Sequence, residues 1–344
     1  MKEKNKLNTL GIIYNLKTHA GINDSSEEYD DPETIESLAS EIQRYGYRVL
    51  RFQHDNDLTK KLLSEQPDFI LNIAEGKGNT RARESQVPCI LESLRIPYSG
   101  SDPVILGITL DKYLTNLVLK SAGIPVPQAY SISSEKDLNL LPDIFEEYNR
   151  FIIKPRWDGS SKGIFSDSLV SDRARLEKQV RHILETCGQP AIIEEFLEND
   201  EITVGVLGNK EPKIIGMMRI SPSLKTEKPF IYCVDNKRTW RETVKYEPDT
   251  VLPRETKLLV ENYALKAFHA LELRDISRID FRLGKDNIPR IIDVNPLPGL
   301  SPDYSDLPIM YRLSGKSYSS LIRAILYTSF ERHSLNTESL EHLP

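Results

Sequence analysis

The sequence has 344 residues, of which 39% are hydrophobic and 28% are charged, and its formal net charge is −6. A chain of this length is expected to fold as two or three lobes of roughly 100–150 residues each, with the composition of an ordinary globular protein. The negative charge argues against nucleic acid as the main partner, and no apolar run approaches the roughly 20 residues that a membrane span requires.

The first hundred residues alternate strand-like and helix-like patterns. Strands are predicted at 10–14, 47–52 and 68–73. Between the first two lies a helix that Asp31 caps, that Pro32 begins and that Gly46 ends, and a second helix is predicted around 58–64. This βαβαβ order predicts a parallel sheet flanked by helices.

The rest of the chain continues with helices and strands around one basic segment. The predicted helices end near Ala122 and span 172–187, 255–271 and 318–330, and the predicted strands span 150–154, 191–196, 202–208, 278–283 and 290–295. The segment 219–248 is rich in Lys, Arg, Pro and Ser, which is typical both of a lid loop and of a surface excursion. We expect 333–344 to be a loose tail.

The three cysteines, Cys89, Cys187 and Cys233, are odd in number and show no C-x-x-C spacing. This pattern is typical of reduced cysteines in a cytoplasmic protein rather than of a disulfide framework or a zinc site. The N-terminal residues show no cleavage pattern of a secretory signal. We therefore expect a cytoplasmic location.

The last two predicted strands flank a turn rich in Gly, Lys, Asp and Asn, and so predict a β-hairpin. With Leu283 opposite Arg290, strand alternation would place two pairs on one face of the hairpin: Asp280 with Asp293, and Arg278 with Asn295. A slip of one residue in this register would separate the two carboxylates.

Opposed carboxylates repel each other unless a cation lies between them. Mg²⁺ takes oxygen ligands, usually one or two carboxylates together with phosphate oxygens, and an Asn carbonyl can join them. Asp280, Asp293 and Asn295 therefore predict a site for magnesium, or manganese, beside a nucleotide. The alternative is a solvated hairpin whose acids pair with Arg278 and Arg282.

A loop of small residues follows the predicted strand that ends at Lys154, which can supply a positive charge to phosphates. The loop residues that can present backbone N–H groups to phosphate oxygens are Gly159, Ser160, Ser161 and Gly163. Neither a Walker A sequence nor a G-x-G-x-x-G sequence is present. A flexible surface turn is the other explanation of this loop.

Single residues outside these motifs carry weaker signals. Glu194 ends an apolar strand and Glu201 begins the next, where a carboxylate is either a surface acid or an acceptor for an adenine amino group or ribose hydroxyls. The Gly299 N–H can stabilise an oxyanion, unless its segment is a plain turn. Lys112, in the middle of a predicted helix, is indistinguishable from a solvated lysine.

Taken in chain order, these segments resemble the ATP-grasp superfamily and, within it, the D-alanine–D-alanine ligases. The similar segments are Ile96-Pro-Tyr-Ser-Gly-Ser, Leu110-Asp-Lys112, Ile153-Lys-Pro with the loop to Gly163, Ile193-Glu-Glu-Phe-Leu with Glu201-Ile-Thr-Val, Arg278-Ile-Asp-Phe and Asp293-Val-Asn-Pro-Leu-Pro-Gly299. The order of the segments is more specific than any one of them.

The resemblance implies an α/β protein with the ATP-grasp fold, α+β in its ATP-binding lobes. The implied lobes are a parallel-sheet substrate lobe at 1–105, a central ATP-binding lobe at 106–190, and a C-terminal ATP-binding lobe with the metal site at 191–332, followed by the tail.

The resemblance also implies residue roles. The phosphate contacts would be Lys112, Lys154, the loop Gly159, Ser160, Ser161 and Gly163, and Lys237 from a lid. The adenine and ribose contacts would be Glu194, Phe196, Leu197 and Glu201. The ligands of magnesium or manganese would be Asp280, Asp293 and Asn295. Arg278 and the Gly299 N–H would stabilise a tetrahedral intermediate.

The first lobe departs from the family. In place of a His-Gly…Gly-Glu-Asp-Gly segment stands a charged segment, whose candidate substrate residues are Glu75, Arg81, Arg83 and Glu84. Either arginine can clamp a substrate carboxylate, or be simply exposed. Asp293 stands where the family more often has Glu, and Ser301 follows Gly299 where the family has a Thr-containing stretch.

The resemblance implies an ATP-dependent carboxylate–amine ligase that forms an amide or peptide bond through an acyl phosphate and releases ADP and phosphate. Because the first lobe departs from the family, the resemblance does not imply that D-alanine is both substrates. Two alternative functions stay open. One is a ligase for another amino acid or peptide-like product, and the other is a nucleotide-binding homologue without turnover. The expected partners are ATP and small molecules, an amino acid or small carboxylate and an amine, without nucleic acid or membrane; a homodimer stays open.

Overall fold

The structure is a computed structural model that describes residues 7–17, 28–159, 162–199, 201–224, 230–232 and 239–341. Its helices are α1 (Pro32–Arg44), α2 (Leu58–Glu65), α3 (Gln86–Leu94), α4 (Pro103–Leu110), α5 (Lys112–Ser121), α6 (Glu135–Leu138), α7 (Arg173–Thr186), α8 (Trp240–Thr243), α9 (Arg254–Ala270), α10 (Asp306–Leu313), α11 (Tyr318–Arg332) and α12 (Glu338–Glu341). Within these ranges no helix has the length and apolar character needed to cross a membrane.

The strands follow the same chain order. They are β1 (Thr9–Tyr14), β2 (Arg48–Gln53), β3 (Phe69–Asn72), β4 (Ala129–Ile132), β5 (Phe151–Pro155), β6 (Leu169–Val170), β7 (Ala191–Glu195), β8 (Glu201–Gly208), β9 (Lys213–Pro222), β10 (Val244–Pro248), β11 (Asp275–Leu283) and β12 (Pro289–Asn295).

The first lobe contains the predicted parallel sheet, in the order β2-β1-β3. Helix α1 begins as the sequence predicts: Asp31 accepts a hydrogen bond from the Thr34 N–H at 2.8 Å, and Pro32 follows at the first helical position. Its Leu38 and Ile42 are fully buried, because they recur on the face that packs against the sheet.

Two antiparallel sheets follow, one of four strands in the order β4-β7-β5-β6 and one of five in the order β10-β9-β8-β11-β12. The fold class predicted from the sequence is confirmed. The pairing of β7 with β4 and β5 puts residues 191–195 in the four-stranded sheet, so the division between the two sheets follows β7, whereas the sequence prediction divided them at residue 190.

The helix predicted to end near Ala122 is instead two helices, α4 and α5, which are separated by Asp111. The backbone of Asp111 is extended, and its carboxylate accepts the Leu114 N–H at 3.0 Å and the Arg156 Nε–H at 2.7 Å. Lys112 therefore begins a helix rather than lying in the middle of one. The apolar periodicity continues across the break, which is why the pattern did not reveal it.

Residues 333–341, the described part of the tail predicted at 333–344, are packed rather than loose. Helix α11 places Phe330 edge-on against Phe69 of the first lobe, with ring centroids 4.8 Å apart. Beyond it, Leu340 of α12 is buried and Ser339 is hydrogen-bonded to Tyr47. Short polar sequences such as this one give little local indication of packing, which depends on an apolar site in another lobe.

A buried carboxylate ties the first lobe to the C-terminal one. Asp275, at the start of β11, is fully buried and has a left-handed backbone with φ of 60°. It accepts hydrogen bonds from the Gly100 N–H at 2.8 Å and from both Nε and Nη2 of Arg332, at 2.9 and 2.7 Å. Arg332 also donates to the Tyr98 carbonyl oxygen at 2.7 Å.

We expect Asp275→Ala to lower the free energy of unfolding by about 3–5 kcal/mol, because it leaves a largely buried arginine without its partner. The measurement is the urea midpoint of the purified protein. The matched control is Glu65→Ala, which removes an exposed 3.7 Å contact with Arg48 and should leave the midpoint nearly unchanged. Equal midpoints for the two variants would contradict the role of Asp275.

Candidate active site

The hairpin of β11 and β12 brings the predicted pairs together. Asp280 lies opposite Asp293, and Arg278 lies opposite Asn295. The turn end differs from the sequence prediction, since Leu283 faces Pro289 instead of Arg290. A register shift between Asp280 and Phe281 compensates for that difference, and so restores the predicted pairing at the carboxylates.

Arg278 holds one of the two opposed carboxylates. Its Nε lies 3.0 Å and its Nη2 3.0 Å from oxygens of Asp280, which also accepts a hydrogen bond from Thr203 of β8. Its Nη1 lies 3.6 Å from Asp306. Burial alone would lower the pKa of Arg278, but Asp280 and Asp306 outweigh it and raise the pKa, so this guanidinium is permanently charged.

The oxygen donors at this hairpin fit a hard divalent cation. Asp280 and Asp293 are adjacent across the strands, and the side chain of Asp293 is 30% exposed toward the cleft. Asn295 accepts the Leu297 N–H at 2.8 Å, and its amide oxygen keeps a second lone pair. No cluster of three or more His, Cys, Asp or Glu side chains suited to a metal occurs in the described ranges, so phosphate oxygens would have to complete the coordination.

A cleft between the two antiparallel sheets contains most of the predicted nucleotide residues. Those that line it are Lys112, Lys154, Gly159, Glu194, Phe196, Leu197, Glu201, Arg278, Asp280 and Asp293. Lys154 and Glu194 form a buried ion pair at 2.7 Å. Glu201 lies 3.5 Å from Nη1 of Arg282, whose guanidinium stacks 4.8 Å from the centroid of the Phe196 ring.

Lys112 points into this cleft from the start of α5. Its Nζ donates to the Asp158 carbonyl oxygen and lies 3.9 Å from Asp293. The small-residue loop is described at Gly159 and at Gly163, whose φ of +73° suits glycine. Three predicted phosphate contacts, Ser160, Ser161 and Lys237, lie outside the described residues.

A second cavity adjoins the cleft, and the two share Tyr232, Arg278 and Asp306 among their lining residues. Its remaining lining residues are Lys17, Glu28, Tyr29, Asp30, Asp31, Glu75, Trp240, Arg241, Tyr246, Asn295, Gly299, Tyr304 and Ser305. Ser301 does not line it: this residue is buried, and its N–H donates to the Ser305 hydroxyl at 3.0 Å.

Both arginines proposed as carboxylate clamps bind protein groups. Arg83 is buried, with Nη2 2.7 Å from Glu28 and Nη1 2.7 Å from the Trp157 carbonyl oxygen. Arg81 Nε lies 2.6 Å from Asp111. Their role toward a substrate stays a prediction.

Three residues of the site were missed by sequence reasoning. Glu28 also accepts the Gly159 N–H at 2.5 Å and so joins the first lobe to the small-residue loop. Tyr232 and Asp306 are hydrogen-bonded at 3.1 Å and lie where the two cavities meet. Only a family alignment would mark Asp306, because an acidic residue in the first turn of a helix is common.

Comparison with known proteins agrees with this geometry. The family described as D-ala D-ala ligase C-terminus matches residues 118–327, which is more than half of the chain. The chain belongs to the D-alanine–D-alanine ligase family. ATP-dependent ligation is thereby supported at the level of the family.

Several relatives of this D-alanine–D-alanine ligase family member match nearly end to end. The chain is 28% identical to a D-alanine–D-alanine ligase of Carboxydothermus hydrogenoformans, over 89% of this chain and 96% of the relative. It is 27% identical to an uncharacterized protein, y4sG, of Sinorhizobium fredii, over 94% and 97%. A crystal structure of D-alanine–D-alanine ligase from Bacillus anthracis complexed with ATP shares the fold, with a TM-score of 0.74, 23% identity, and coverage of 95% and 98%.

We expect Lys154→Met to weaken Mg-ATP binding and also to destabilise this family member by about 3–5 kcal/mol, because Glu194 would be left buried without its cation. Adding Glu194→Gln should recover most of the stability but not the affinity. Thermal midpoints and ATP titrations of the single and double variants separate the two effects. Recovery of affinity in the double variant would contradict a phosphate contact for Lys154.

Proposed function

We propose that this chain is an ADP-forming carboxylate–amine ligase that uses ATP and a divalent cation, Mg²⁺ or Mn²⁺, and makes an amide bond through an acyl phosphate. One observation carries the proposal. The cleft between the antiparallel sheets meets a separate polar cavity at Arg278, so one buried cation faces both a nucleotide and a second ligand. Family membership supports ATP as the nucleotide.

Lysines and glutamates of the cleft suit a bound ATP. Lys112 and Lys154 are cations among its lining residues and suit the phosphates, whereas Glu194 suits the adenine amino group and Glu201 the ribose hydroxyls. ATP would have to replace the contact that Lys154 now makes with Glu194. Asp280, Asp293 and Asn295 would hold the divalent cation, which neutralises phosphate charge when bound.

In the first step a carboxylate oxygen of the donor attacks the γ-phosphorus. The bond from that phosphorus to the bridging oxygen breaks, and ADP leaves. The chain contributes position and charge rather than a nucleophile: Arg278 lies where the donor carboxylate would enter and attracts its negative charge.

In the second step the neutral amine attacks the acyl carbon, and the carbon–oxygen bond to phosphate breaks. The amine loses its proton, and the products are an amide and inorganic phosphate. Arg278 and the Gly299 N–H line the same cavity and can stabilise the negative oxygen of the tetrahedral intermediate.

Release of ADP and phosphate from ATP tests the reaction. Purified protein with ATP and Mg²⁺ should release both only when a carboxylate donor and an amine are present, and a panel of D- and L-amino acids should identify them. Release with D-alanine alone would make the chain a D-alanine–D-alanine ligase in activity. Binding of Mg-ATP without release for any substrate would favour a nucleotide-binding homologue without turnover.

We expect Asp293→Ala and Arg278→Ala to lower kcat by at least about 10²-fold, since each removes charge from the reacting phosphate or the intermediate. The measurement is phosphate release under the conditions found above, with circular dichroism to confirm folding.

A control variant comes from the same hairpin. Asp286 is exposed in the turn and pairs with Arg290 at 2.8 Å, away from the cleft between the sheets. Asp286→Ala should retain normal turnover. Near-normal kcat in Asp293→Ala would exclude the hairpin as the site of the chemistry.

A further inference from the structure

An acidic wall in the first lobe, formed by Asp30, Glu75 and Glu84, extends from the second cavity into an adjoining pocket. Asp30 precedes α1, Glu75 follows β3, and Glu84 belongs to the short 3₁₀ turn Arg83–Ser85. Asp30 and Glu75 line the second cavity, while Glu75 and Glu84 line an adjoining pocket that also contains Asn295. Because Glu75 lines both spaces, the wall continues from the second cavity, where a substrate would lie, into the adjoining pocket.

Within the described ranges no cation forms a hydrogen bond or ion pair with the acidic wall, although Arg83 lowers the pKa of Glu75 and Glu84 through space, and Lys17, Arg241 and Arg278 line the second cavity. The side chain of Glu84 is only 7% exposed, yet its carboxylate makes no hydrogen bond or ion pair with the described residues. The carboxylates of Asp30 and Glu75, which are half-buried, make none with them either. Arg83, the nearest arginine, gives its hydrogen bonds to Glu28 and a backbone carbonyl. Lys112 is bound to the Asp158 carbonyl oxygen.

Electrostatics agree with this geometry. Burial and the neighbouring Glu84 raise the pKa of Glu75, and burial raises the pKa of Glu84 to about 7. Burial likewise raises the pKa of Asp30 to about 7. Unpaired carboxylates in such surroundings are costly, so the wall favours any ligand that brings positive charge.

The surroundings favour an organic cation over a metal ion. Five aromatic side chains line the same cavity: Tyr29, Tyr232, Trp240, Tyr246 and Tyr304. Aromatic faces attract ammonium and guanidinium groups and cover the methylene chains that carry them.

We propose that one of the two substrates carries a second basic group, as lysine, ornithine and arginine do, and that the acidic wall binds this group. An ordinary amino acid brings one ammonium and one carboxylate, so its net charge is zero and it leaves the wall uncompensated. A basic amino acid brings a further cation on an apolar stem, which matches both the carboxylates and the aromatic rings. This inference rests on the proposed function, because it names the substrate class for that same site.

Pairs of amino acids that match in size and differ in side-chain charge test the inference. Phosphate release from ATP and Mg²⁺ is measured with lysine against norleucine and with arginine against citrulline, in both D- and L-forms, alone and with alanine as the second substrate. We expect kcat/KM to be at least about tenfold higher for the basic member of a pair, from the loss of one charged contact in the neutral member.

Variants of the wall provide an independent readout. Glu75→Gln and Glu84→Gln should raise KM for the basic substrate by about tenfold or more, and should erase the preference over the neutral isostere. Because Glu84 is buried without a partner, Glu84→Gln should also raise the thermal midpoint of the free protein. The matched control, Glu33→Gln, neutralises an exposed acid in the first turn of α1 and should change none of these values.

The outcomes separate this inference from the proposed function. Release with neutral or acidic amino acids but without a preference for basic ones keeps the ligase and overturns the basic substrate. If no amino acid causes release, the proposed function fails, and calorimetry with Mg²⁺ and a non-hydrolysable ATP analogue still tests the wall. Lysine binding there with norleucine excluded supports the inference, and equal binding or no binding of the two overturns it.

Discussion

The structure depends on the placement of two carboxylates opposite each other in one hairpin. Asp280 and Asp293 would repel each other if nothing intervened, and the two carboxylates have different contacts. Arg278 and Thr203 hold Asp280, whereas Asp293 faces the cleft with Lys112 at 3.9 Å. Under the proposed function, the two carboxylates would together hold a cation that arrives with phosphates. Neighbouring strands of the five-stranded sheet supply the groups on either side of β11, since β8 supplies Thr203 and β12 supplies Asp293.

Much of this arrangement could be predicted from the sequence, because it depends on local periodicity. Alternation along β11 and β12 predicts which side chains share a face, and the pairing of Asp280 with Asp293 is confirmed. The bulge could not be predicted. Asn287, in the turn, has a left-handed backbone, with φ of 58°, and the Gly284 N–H donates to the Ile288 carbonyl oxygen. This turn moves the register by one residue, and the shift beside Asp280 moves it back.

Contacts between residues far apart in the chain could not be predicted from the sequence. The partner of Arg83 is Glu28, which lies 55 residues away, and no sequence pattern links the two. The sequence therefore showed Arg83 as a candidate clamp, while the fold uses it to neutralise a buried acid. The same contact leaves Glu84 without that arginine's hydrogen bonds. Such contacts set the chemistry of the first lobe, and the family motifs in the rest of the chain do not determine it.

Glu28 accepts hydrogen bonds from Arg83 and from the Gly159 N–H of the small-residue loop, and it also lines the second cavity. A phosphate oxygen that accepted the Gly159 N–H would have to displace the Glu28 carboxylate from it. The negative charge of Glu28 would then remain in the second cavity. Under the proposed function, affinity for nucleotide and affinity for substrate would consequently be linked, and by reciprocity each ligand would alter the affinity for the other by the same factor. A cationic substrate, which lowers the cost of that displaced charge, would make the two ligands bind cooperatively.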